Sequence, residues 1–368
     1  MSAEDKMSAD DRRPGPLESR RIRGGMHVSR ESGIGAGVLA IAVIVLMLQV
    51  TVGGVAFSGL SSSVAAYALV VATAAFGQGV VMLSGGFDLS IPWTMTTAAL
   101  LLTRFADGSD SAALWVIPAV LLLGAAIGAA NGLGVVILRL PAIVMTLATN
   151  VVVQGLVLLY TEGSAQGVAP PVLGSLTNDR VGGIPASAIA LVVLLVAGSV
   201  LMSGTTFGRR VAAVGASPRT AFLSGVNNAR VVVAVYAVSG LCAALAGILL
   251  AGYSGQSTLN MGDPYLLPVI AAVVLGGAAV TGGRGVFLGT LAGAVFIGTV
   301  QSLLATMSVA PAWRTVIFGC VILFSAVVLQ PGTLTWARGL VSNARSRAEG
   351  KGRDGNVPNE LVEGEPVS

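Results

Sequence analysis

The sequence predicts an all-α integral membrane protein with about ten transmembrane helices, some of them short or broken. Of its 368 residues, 54% are hydrophobic and 10% are charged, whereas about a quarter are charged in soluble proteins. The charged residues are concentrated at the two ends of the chain. Between them, apolar runs recur at lengths near the ~20 residues that a helix needs to cross a bilayer.

Ten apolar segments make up this central region. They cover residues 34–52, 63–83, 91–105, 112–138, 141–160, 184–203, 231–253, 267–280, 285–306 and 310–330. The third and the eighth are too short to cross alone, so we expect a broken partner helix or local thinning of the bilayer there. A basic arm at 1–32 precedes the transmembrane region at 33–332, and the composition of 333–368 predicts a disordered cytoplasmic tail.

The basic residues predict that both ends of the chain are cytoplasmic, because cytoplasmic loops carry the excess of Lys and Arg. With this orientation all 21 of them fall on the cytoplasmic side except Arg104, Arg180 and Arg314. The net charge of +4 suits the anionic lipid of the inner leaflet. It does not indicate nucleic acid, because no aromatic residues are interleaved with the basic ones. The two cysteines, Cys242 and Cys320, lie in predicted spans, and we expect both to be buried.

Small residues mark the helix faces that we expect to pack most closely, because they let two backbones approach within a membrane. One face of the fourth span carries Gly124, Gly128 and Gly132, and one face of the ninth carries Gly289 and Gly293. These faces indicate helix packing and not a substrate.

A weak twofold internal repeat relates the two halves of the chain. The sequence SGG at 84–86 matches TGG at 281–283, and a glycine precedes a proline by the same interval near 128–141 and 298–311. Membrane transport proteins often contain such halves, with interrupted helices at matching positions.

A lone carboxylate, Asp88, interrupts the hydrophobic stretch MLSGGFDLSIPW. The preceding span ends at Gly85 and Gly86. Backbone groups left without helical hydrogen bonds at membrane depth are tolerated only inside protein or beside water. Two compatible interpretations follow. Either Asp88 or Ser90 caps the next helix, with Pro92 in its first turn, or Asp88 lies beside a pathway and accepts hydrogen bonds from a polar solute.

Other polar residues inside the spans are candidates to line such a pathway. Three of them recur every four residues and therefore share one face of the fifth span. Such residues also join helices to one another by hydrogen bonds, and that alternative remains open. The polar candidates are Gln78, Thr94, Asn131, Thr146, Asn150 and Gln154.

The chain has no ATP-hydrolysing loop of its own. A Walker A motif needs Lys followed by Ser or Thr, but Lys6 precedes Met7 and Lys351 precedes Gly352. Apart from Asp88 the acidic residues lie in tails or loops, so the spans contain almost no groups for a proton relay. Energy from another polypeptide and sodium coupling through carbonyls and hydroxyls both remain open, while no catalytic pair indicates a membrane enzyme.

The long cytoplasmic loop 204–230, GTTFGRRVAAVGASPRTAFLSGVNNAR, is the candidate docking surface for an energising partner. Gly215 is expected to break it. Ser217 is a plausible N-cap, with Pro218 at the first helical position, and the helix is expected to end near Leu223. A short helix of this kind fits a groove on a partner, although an ordinary connecting loop is the alternative.

Four motifs give the chain a resemblance to a known family. They are SGGFDLS at 84–90, NGLGVVILRLPAIVMTLAT at 131–149, FGRRVAAVGASPRTAFLSGV at 207–226 and AAVVLGGAAVTGGRGVFLGTLAGAVFIG at 271–298. In this order they resemble the permease subunits of bacterial ABC importers for monosaccharides, over about residues 35–330. The resemblance does not specify the sugar.

The resemblance implies a membrane complex that imports a monosaccharide. Two permease subunits would form the pathway, a separate ATPase chain would bind ATP and Mg²⁺, and an extracytoplasmic sugar-binding protein would deliver substrate. A stand-alone ion-coupled carrier remains the alternative. Carried over to this chain, the ATPase-coupling residues are Gly215, Ala216, Ser217, Ala221, Ser224 and Gly225. The expected pathway residues are Asp88, Gly85, Gly86, Ser90, Asn131, Thr146, Asn150, Gln154, Gly276 and Gly277.

The chain departs from the family pattern at several positions. Arg219 and the residues before it replace a Gly-Gly-Asn-acidic sequence that is usual in the coupling loop. Ala278 and Ala279 replace polar residues that usually follow the glycine pair of the eighth span. These departures indicate an altered ATPase surface and the loss of a pathway hydroxyl.

Overall fold

The computed structural model describes residues 57–279, 282–283, 285 and 287–329, which form an all-α bundle with one very short hairpin. The helices are α1 (Phe57–Leu83), α2 (Ile91–Ala106), α3 (Asp110–Ile137), α4 (Ala142–Thr161), α5 (Pro171–Asn178), α6 (Ala186–Ser199), α7 (Thr206–Ala216), α8 (Pro218–Leu223), α9 (Asn228–Ser254), α10 (Leu266–Leu275), α11 (Phe287–Thr306) and α12 (Pro311–Leu329). Strands β1 (Arg180–Val181) and β2 (Ile184–Pro185) pair antiparallel between α5 and α6. A π-helical turn, Val200–Gly204, extends α6, and a 3₁₀ turn, Asp263–Tyr265, precedes α10.

Nine of the predicted spans coincide with α1–α4, α6 and α9–α12, with ends that differ by a few residues. Within the described residues six helices are long and apolar enough to cross a membrane: α1, α3, α4, α6 with its π turn, α9 and α11. As predicted, the third and eighth spans form short helices, α2 and α10. The first predicted span, the basic arm 1–32 and the tail 333–368 lie outside the described residues.

The two central helices are α1 and α9. Helix α1 packs against α6, α9, α10 and α11, and α9 packs against α1, α2, α3 and α5. Helices α4 and α6 are mostly exposed along their apolar lengths. The core therefore lies around α1 and α9, and the polar residues of these two helices are held inside protein.

The predicted glycine faces lie at close contacts between helices. A Cβ at Gly128 would lie 2.0 Å from the carbonyl oxygen of Tyr236, and one at Gly132 would lie 2.6 Å from the Cα of Val233. In α11, Gly293 meets the backbone of α10 in the same way. Glycine is required at these positions because a side chain would separate the two helices.

Two sequence predictions of local structure are wrong. Gly215 does not break loop 204–230, because it lies inside α7, which ends at Ala216. Cys320 is exposed and not buried, whereas Cys242 is buried as predicted. Cys320 lies in α12, several of whose apolar side chains face away from the bundle, so a small apolar residue is accommodated on its surface.

Candidate functional site

Residues 84–90 connect α1 to α2, and we call them the α1–α2 joint. Its carboxylate, Asp88, is 0% exposed. Oδ1 accepts hydrogen bonds from the Ser90 amide at 2.9 Å and the Ser90 hydroxyl at 2.6 Å. Oδ2 accepts one from the Ser239 hydroxyl of α9 at 2.7 Å. Hydroxyl and amide donors therefore compensate part of the cost of removing this carboxylate from water.

Side chains of helix α4 supply hydrogen-bond acceptors at the start of α2. The first amides of a helix have no partner within it, and two residues of α4 supply acceptors near this end. The Leu89 amide donates to Thr146 Oγ1 at 3.0 Å, and the Trp93 amide donates to Asn150 Oδ1 at 3.3 Å. The polar stripe predicted on the fifth span thus joins α4 to the start of α2.

The capping prediction for Asp88 and Ser90 is right about the place and wrong about the bond made by Ser90. Ser90 is the N-cap residue of α2, and a proline lies in the first turn, but the Ser90 side chain makes no capping hydrogen bond. Its hydroxyl instead donates to Asp88. Asp88 satisfies the amide of the N-cap residue itself.

Two buried amide side chains complete the joint. Asn131 of α3 donates from Nδ2 to Ser90 Oγ at 2.8 Å, and Gln78 of α1 accepts from the Asp88 amide at 3.3 Å. The other ends of these amides, Asn131 Oδ1 and Gln78 Nε2, have no partner among the described residues. Helices α1, α3, α4 and α9 therefore all hold the α1–α2 joint.

The structure brings most of the predicted pathway residues together at this joint. Those in or against it are Gly85, Gly86, Asp88, Ser90, Asn131, Thr146 and Asn150. Gly85 has a φ of +88°, and a Cβ at Gly86 would lie 2.6 Å from the Tyr236 hydroxyl, so both positions require glycine.

Three predicted pathway residues lie elsewhere. Gln154 is farther along α4 and is half-buried. Gly276 ends α10 in close contact with α11, since a Cβ there would lie 2.4 Å from the Thr290 amide nitrogen. Gly277 follows it with a φ of +87°. The close approach explains Gly276 as a packing residue, and lining of a pathway stays a prediction.

Two residues of α9 bond to the joint but were not predicted from the sequence to do so. Ser239 bonds Asp88, and the Tyr236 hydroxyl donates to the carbonyl oxygen of Phe87 at 3.3 Å. The available signal was that both polar groups interrupt an otherwise apolar span and are spaced three residues apart, hence on one helix face.

The short helix predicted in loop 204–230 is present as α8, and its role in ATPase coupling stays a prediction. Ser217 is its N-cap and accepts a hydrogen bond from the Thr220 amide at 3.3 Å, and Pro218 is at the start of the helix. The helix ends at Leu223, followed by Gly225 with a φ of +81°. Ala221 is buried against the bundle, whereas Ala216, Ser224 and Gly225 are exposed.

Helix α8 presents apolar side chains to its surroundings. Phe222 is 68% exposed and Leu223 is 77% exposed. Arg219 in the same helix and Arg209 and Arg210 in α7 are also exposed. Two successive helices that expose an apolar tip and three cations are suited to a protein surface with an apolar groove and acidic residues.

Helix α7 contacts the end of α1 directly. A Cβ at Gly215 would lie 1.8 Å from the carbonyl oxygen of Leu83, the last residue of α1. The same carbonyl accepts a hydrogen bond from the Gly283 amide at 3.0 Å. A Cβ at Gly282 would lie 2.7 Å from the Cα of Gly85, so the SGG and TGG sequences of the proposed repeat are in contact.

A cavity of about 600 Å³ lies beside this contact. It is bounded by α1, α6, α7 and α11, and its lining is mainly apolar, with a few hydroxyls. Phe76 and Phe287 meet edge to face in its wall, with ring centroids 4.5 Å apart. Further lining residues are Leu83, Ser203, Ala212 and Thr290. The volume lies within the range of small-molecule pockets.

The spanning helices and the joint buried among them define a multi-pass membrane permease. The chain belongs to the family described as branched-chain amino acid transport system / permease component, whose model matches residues 60–326. It is therefore a multi-pass protein of a bacterial inner membrane.

Curated relatives are permeases of sugar transport systems. The chain is 35% identical over 263 residues to a ribose import permease protein of Bacillus subtilis, covering 69% of this chain and 79% of that protein. It is 32% identical over 247 residues to an L-arabinose transport system permease protein of Escherichia coli, covering 66% and 74%. A galactose/methyl galactoside import permease protein of Haemophilus influenzae is 34% identical over 225 residues, covering 58% and 66%. No solved structure matches the chain.

Proposed function

We propose that this chain is the membrane-spanning subunit of an ABC importer that carries a monosaccharide into the cell. It would work with a second permease subunit, a separate cytoplasmic ATPase that binds ATP and Mg²⁺, and an extracytoplasmic sugar-binding protein. The observation that carries the proposal is α8, a capped helix that exposes Phe222 and Leu223 together with Arg219. The sugar relatives supply the substrate class.

In this proposal the coupling residues Gly215, Ala216, Ser217, Ala221, Ser224 and Gly225 position α7 and α8 on the ATPase. The exposed apolar tip of α8 would enter a groove, and the exposed arginines would face acidic residues of the ATPase. Because the usual acidic residues of the family are absent from this loop, the complementary charge is expected on the ATPase side.

The same segment is suited to transmit movement to the pathway. Helix α7 contacts the end of α1 through Gly215, and α8 leads into α9. Helix α9 in turn bonds the α1–α2 joint through Ser239 and Tyr236. ATP-driven movement of α8 would therefore reach Asp88 by two routes, and Gly85, Gly86 and Ser90 would move with it beside the sugar pathway.

The proposed topology has ten spans within 33–332 and both termini in the cytoplasm. The basic residues of α7 and α8 then face the cytoplasm, in agreement with the positive-inside rule. Contact between Gly85 and Gly282 supports the twofold repeat, since it brings the two matching sequences together.

Uptake by the reconstituted complex tests the function. Proteoliposomes containing this chain, its ATPase and its binding protein should accumulate one of ribose, L-arabinose or galactose only with ATP. Accumulation of leucine instead would support the amino acid substrate that the family description names. Accumulation driven by an ion gradient, with no ATPase present, would establish the stand-alone carrier.

Docking can be tested separately from uptake. Replacing both Phe222 and Leu223 by Ser should abolish copurification of the ATPase, because the exposed apolar tip is lost. The matched control is Met307→Ser, which changes an apolar side chain that is 65% exposed outside α8. Copurification that survives the double substitution would place ATPase docking on another surface.

A further inference from the structure

Residues 255–265 follow α9 and fold back into the bundle, and we call them the re-entrant segment. The Ser257 hydroxyl lies 2.6 Å from the hydroxyl of Thr103, near the last turn of α2. Five residues later, the Gly262 amide donates to Thr96 Oγ1 at 3.1 Å. Seven residues of α2 separate these threonines, a rise of about 10 Å. The segment therefore descends along α2 from its end toward its start.

The position of α10 gives a second measure of this depth. Val273 Cγ1 lies 3.8 Å from where a Cβ of Gly79 would be, so α10 runs beside the last part of α1. Leu266, the first residue of α10, lies seven residues before Val273, and Gly79 lies four residues before Leu83 at the end of α1. At about 1.5 Å per residue, Leu266 is therefore about 16 Å from that end, measured along the helix axis. Helix α1 has 27 residues and is about 40 Å long. The re-entrant segment thus ends near the middle of the bundle.

Alternate side chains of the segment face opposite ways, as in a strand. Ser257 is buried, Leu259 packs against the cluster around Trp93, and Met261 packs against the main core. The intervening Thr258 and Asn260 are exposed.

Asp263, at the start of the 3₁₀ turn, is also exposed. Within the described part of the chain, no side-chain hydrogen bond is made by Thr258, Asn260 or Asp263.

This exposed polar face cannot lie against lipid acyl chains. Irregular backbone at membrane depth is tolerated only where protein covers it or water reaches it. Carboxylates at that depth face a bundle interior or a water-filled cavity. We propose that Thr258, Asn260 and Asp263 form a sugar-binding face in the extracytoplasmic half of the pathway.

The chemistry of these side chains fits a neutral polyhydroxylated solute. The Asp263 carboxylate can accept hydrogen bonds from two neighbouring hydroxyls of a sugar, while the Asn260 amide can both donate and accept. The Thr258 hydroxyl can also donate one hydrogen bond and accept others. This inference rests on the proposed importer function and adds to it a place and a donor–acceptor set for the sugar.

Cysteine labelling in the assembled complex tests the face. With Cys320 replaced by Ser, Thr258→Cys and Asn260→Cys should react with a membrane-impermeant maleimide, and Leu259→Cys, which faces the core, should not. The transported sugar should slow the reaction at 258 and 260. Labelling unaffected by sugar, or no faster at 258 and 260 than at 259, would overturn the inference and indicate a surface covered by a second copy or by lipid.

Transport kinetics give an independent readout. Asp263→Asn should raise the KM for the sugar about tenfold or more, because a charged hydrogen-bond acceptor is lost, with little change in the amount of complex. Glu162→Gln is the control, since Glu162 is exposed in the loop after α4. An unchanged KM for Asp263→Asn would contradict the inference, whereas failure of the unmodified complex to take up any of the three sugars would contradict the proposed function.

Discussion

Ser239 of α9 donates a hydrogen bond of 2.7 Å to Asp88, a residue 151 positions earlier in the chain. Both residues are completely buried. The bond joins a central helix, which begins just after α8, to the only carboxylate of the α1–α2 joint. A change at this contact therefore tests the stability of the bundle and the proposed transport role of Asp88 together.

Ser239→Ala removes the donor to Asp88 Oδ2 and leaves part of a carboxylate unsatisfied. We expect a loss of about 1–3 kcal/mol in the free energy of unfolding, together with reduced uptake. Thermal unfolding in detergent and uptake in proteoliposomes measure the two effects. Ser325→Ala is the matched control, because that buried hydroxyl bonds only the carbonyl of Val321 in its own helix. Equal effects of the two substitutions would show that the bond to Asp88 has no special weight.

Asp88→Asn and Asp88→Leu separate the two roles of the carboxylate. The side-chain oxygen of asparagine can accept the hydrogen bond from the Ser90 amide, so the protein should assemble at normal levels but take up less sugar. Leucine accepts no hydrogen bond and strands the Ser90 and Ser239 hydroxyls, so assembled protein should fall as well. Membrane abundance and initial uptake rate are the measurements. Undiminished uptake by both variants would remove Asp88 from the mechanism.

Asn150→Ala tests the capping of α2 by α4. The Trp93 amide would lose its acceptor, and loss of a capping side chain costs about 0.5–2 kcal/mol. Gln154→Ala, one turn farther along α4, should cost less, because no capping contact is lost there. Thermal midpoints of the two variants in the same detergent make the comparison. A larger loss with Gln154→Ala would contradict capping of α2 as the main structural contribution of this stripe.

Gly128→Ala should be among the most damaging single methyl additions. The new Cβ would lie 2.0 Å from the Tyr236 carbonyl oxygen, so α3 and α9 must separate, at a cost of about 1–3 kcal/mol or more. Gly155→Ala in α4 is the control, because nothing lies within 4 Å of its Cβ position. The fraction of monodisperse protein after extraction measures both. Equal recovery of the two variants would show that the α3–α9 contact relaxes at little cost.

The helices were predictable because membrane spans depend on long apolar runs, which the sequence displays directly. Helix α7 was missed because its polar face carries Arg209 and Arg210, and because Gly215 normally lowers helix propensity. Here glycine is tolerated in the last turn because α7 approaches Leu83 too closely for any side chain. The re-entrant segment was missed because a short polar stretch gives no periodic signal for its depth.

The candidate site was predictable only in part for a related reason. The stripe of Thr146 and Asn150 repeats at helical spacing, and Asp88 is conspicuous in an apolar stretch, so these residues could be selected from the sequence. Ser239 was not selected, because its one signal, the spacing from Tyr236, is weak: a single serine in an apolar span usually bonds its own helix backbone. Only the fold brings it to Asp88, through the close approach of α9 to α1 and α3.

Gly215→Ala tests whether α7 transmits movement to the α1–α2 joint. The added methyl would overlap the Leu83 carbonyl oxygen and displace the hydrogen bond from Gly283. We expect the ATPase to remain bound through α8 and to hydrolyse ATP, but with much less sugar imported per ATP, because the contact with α1 is changed. Gly204→Ala nearby is the control, since its Cβ would meet Val200 at an ordinary 3.6 Å. If uptake and hydrolysis fall in parallel, Gly215 serves only assembly, and the coupling runs through α9 alone.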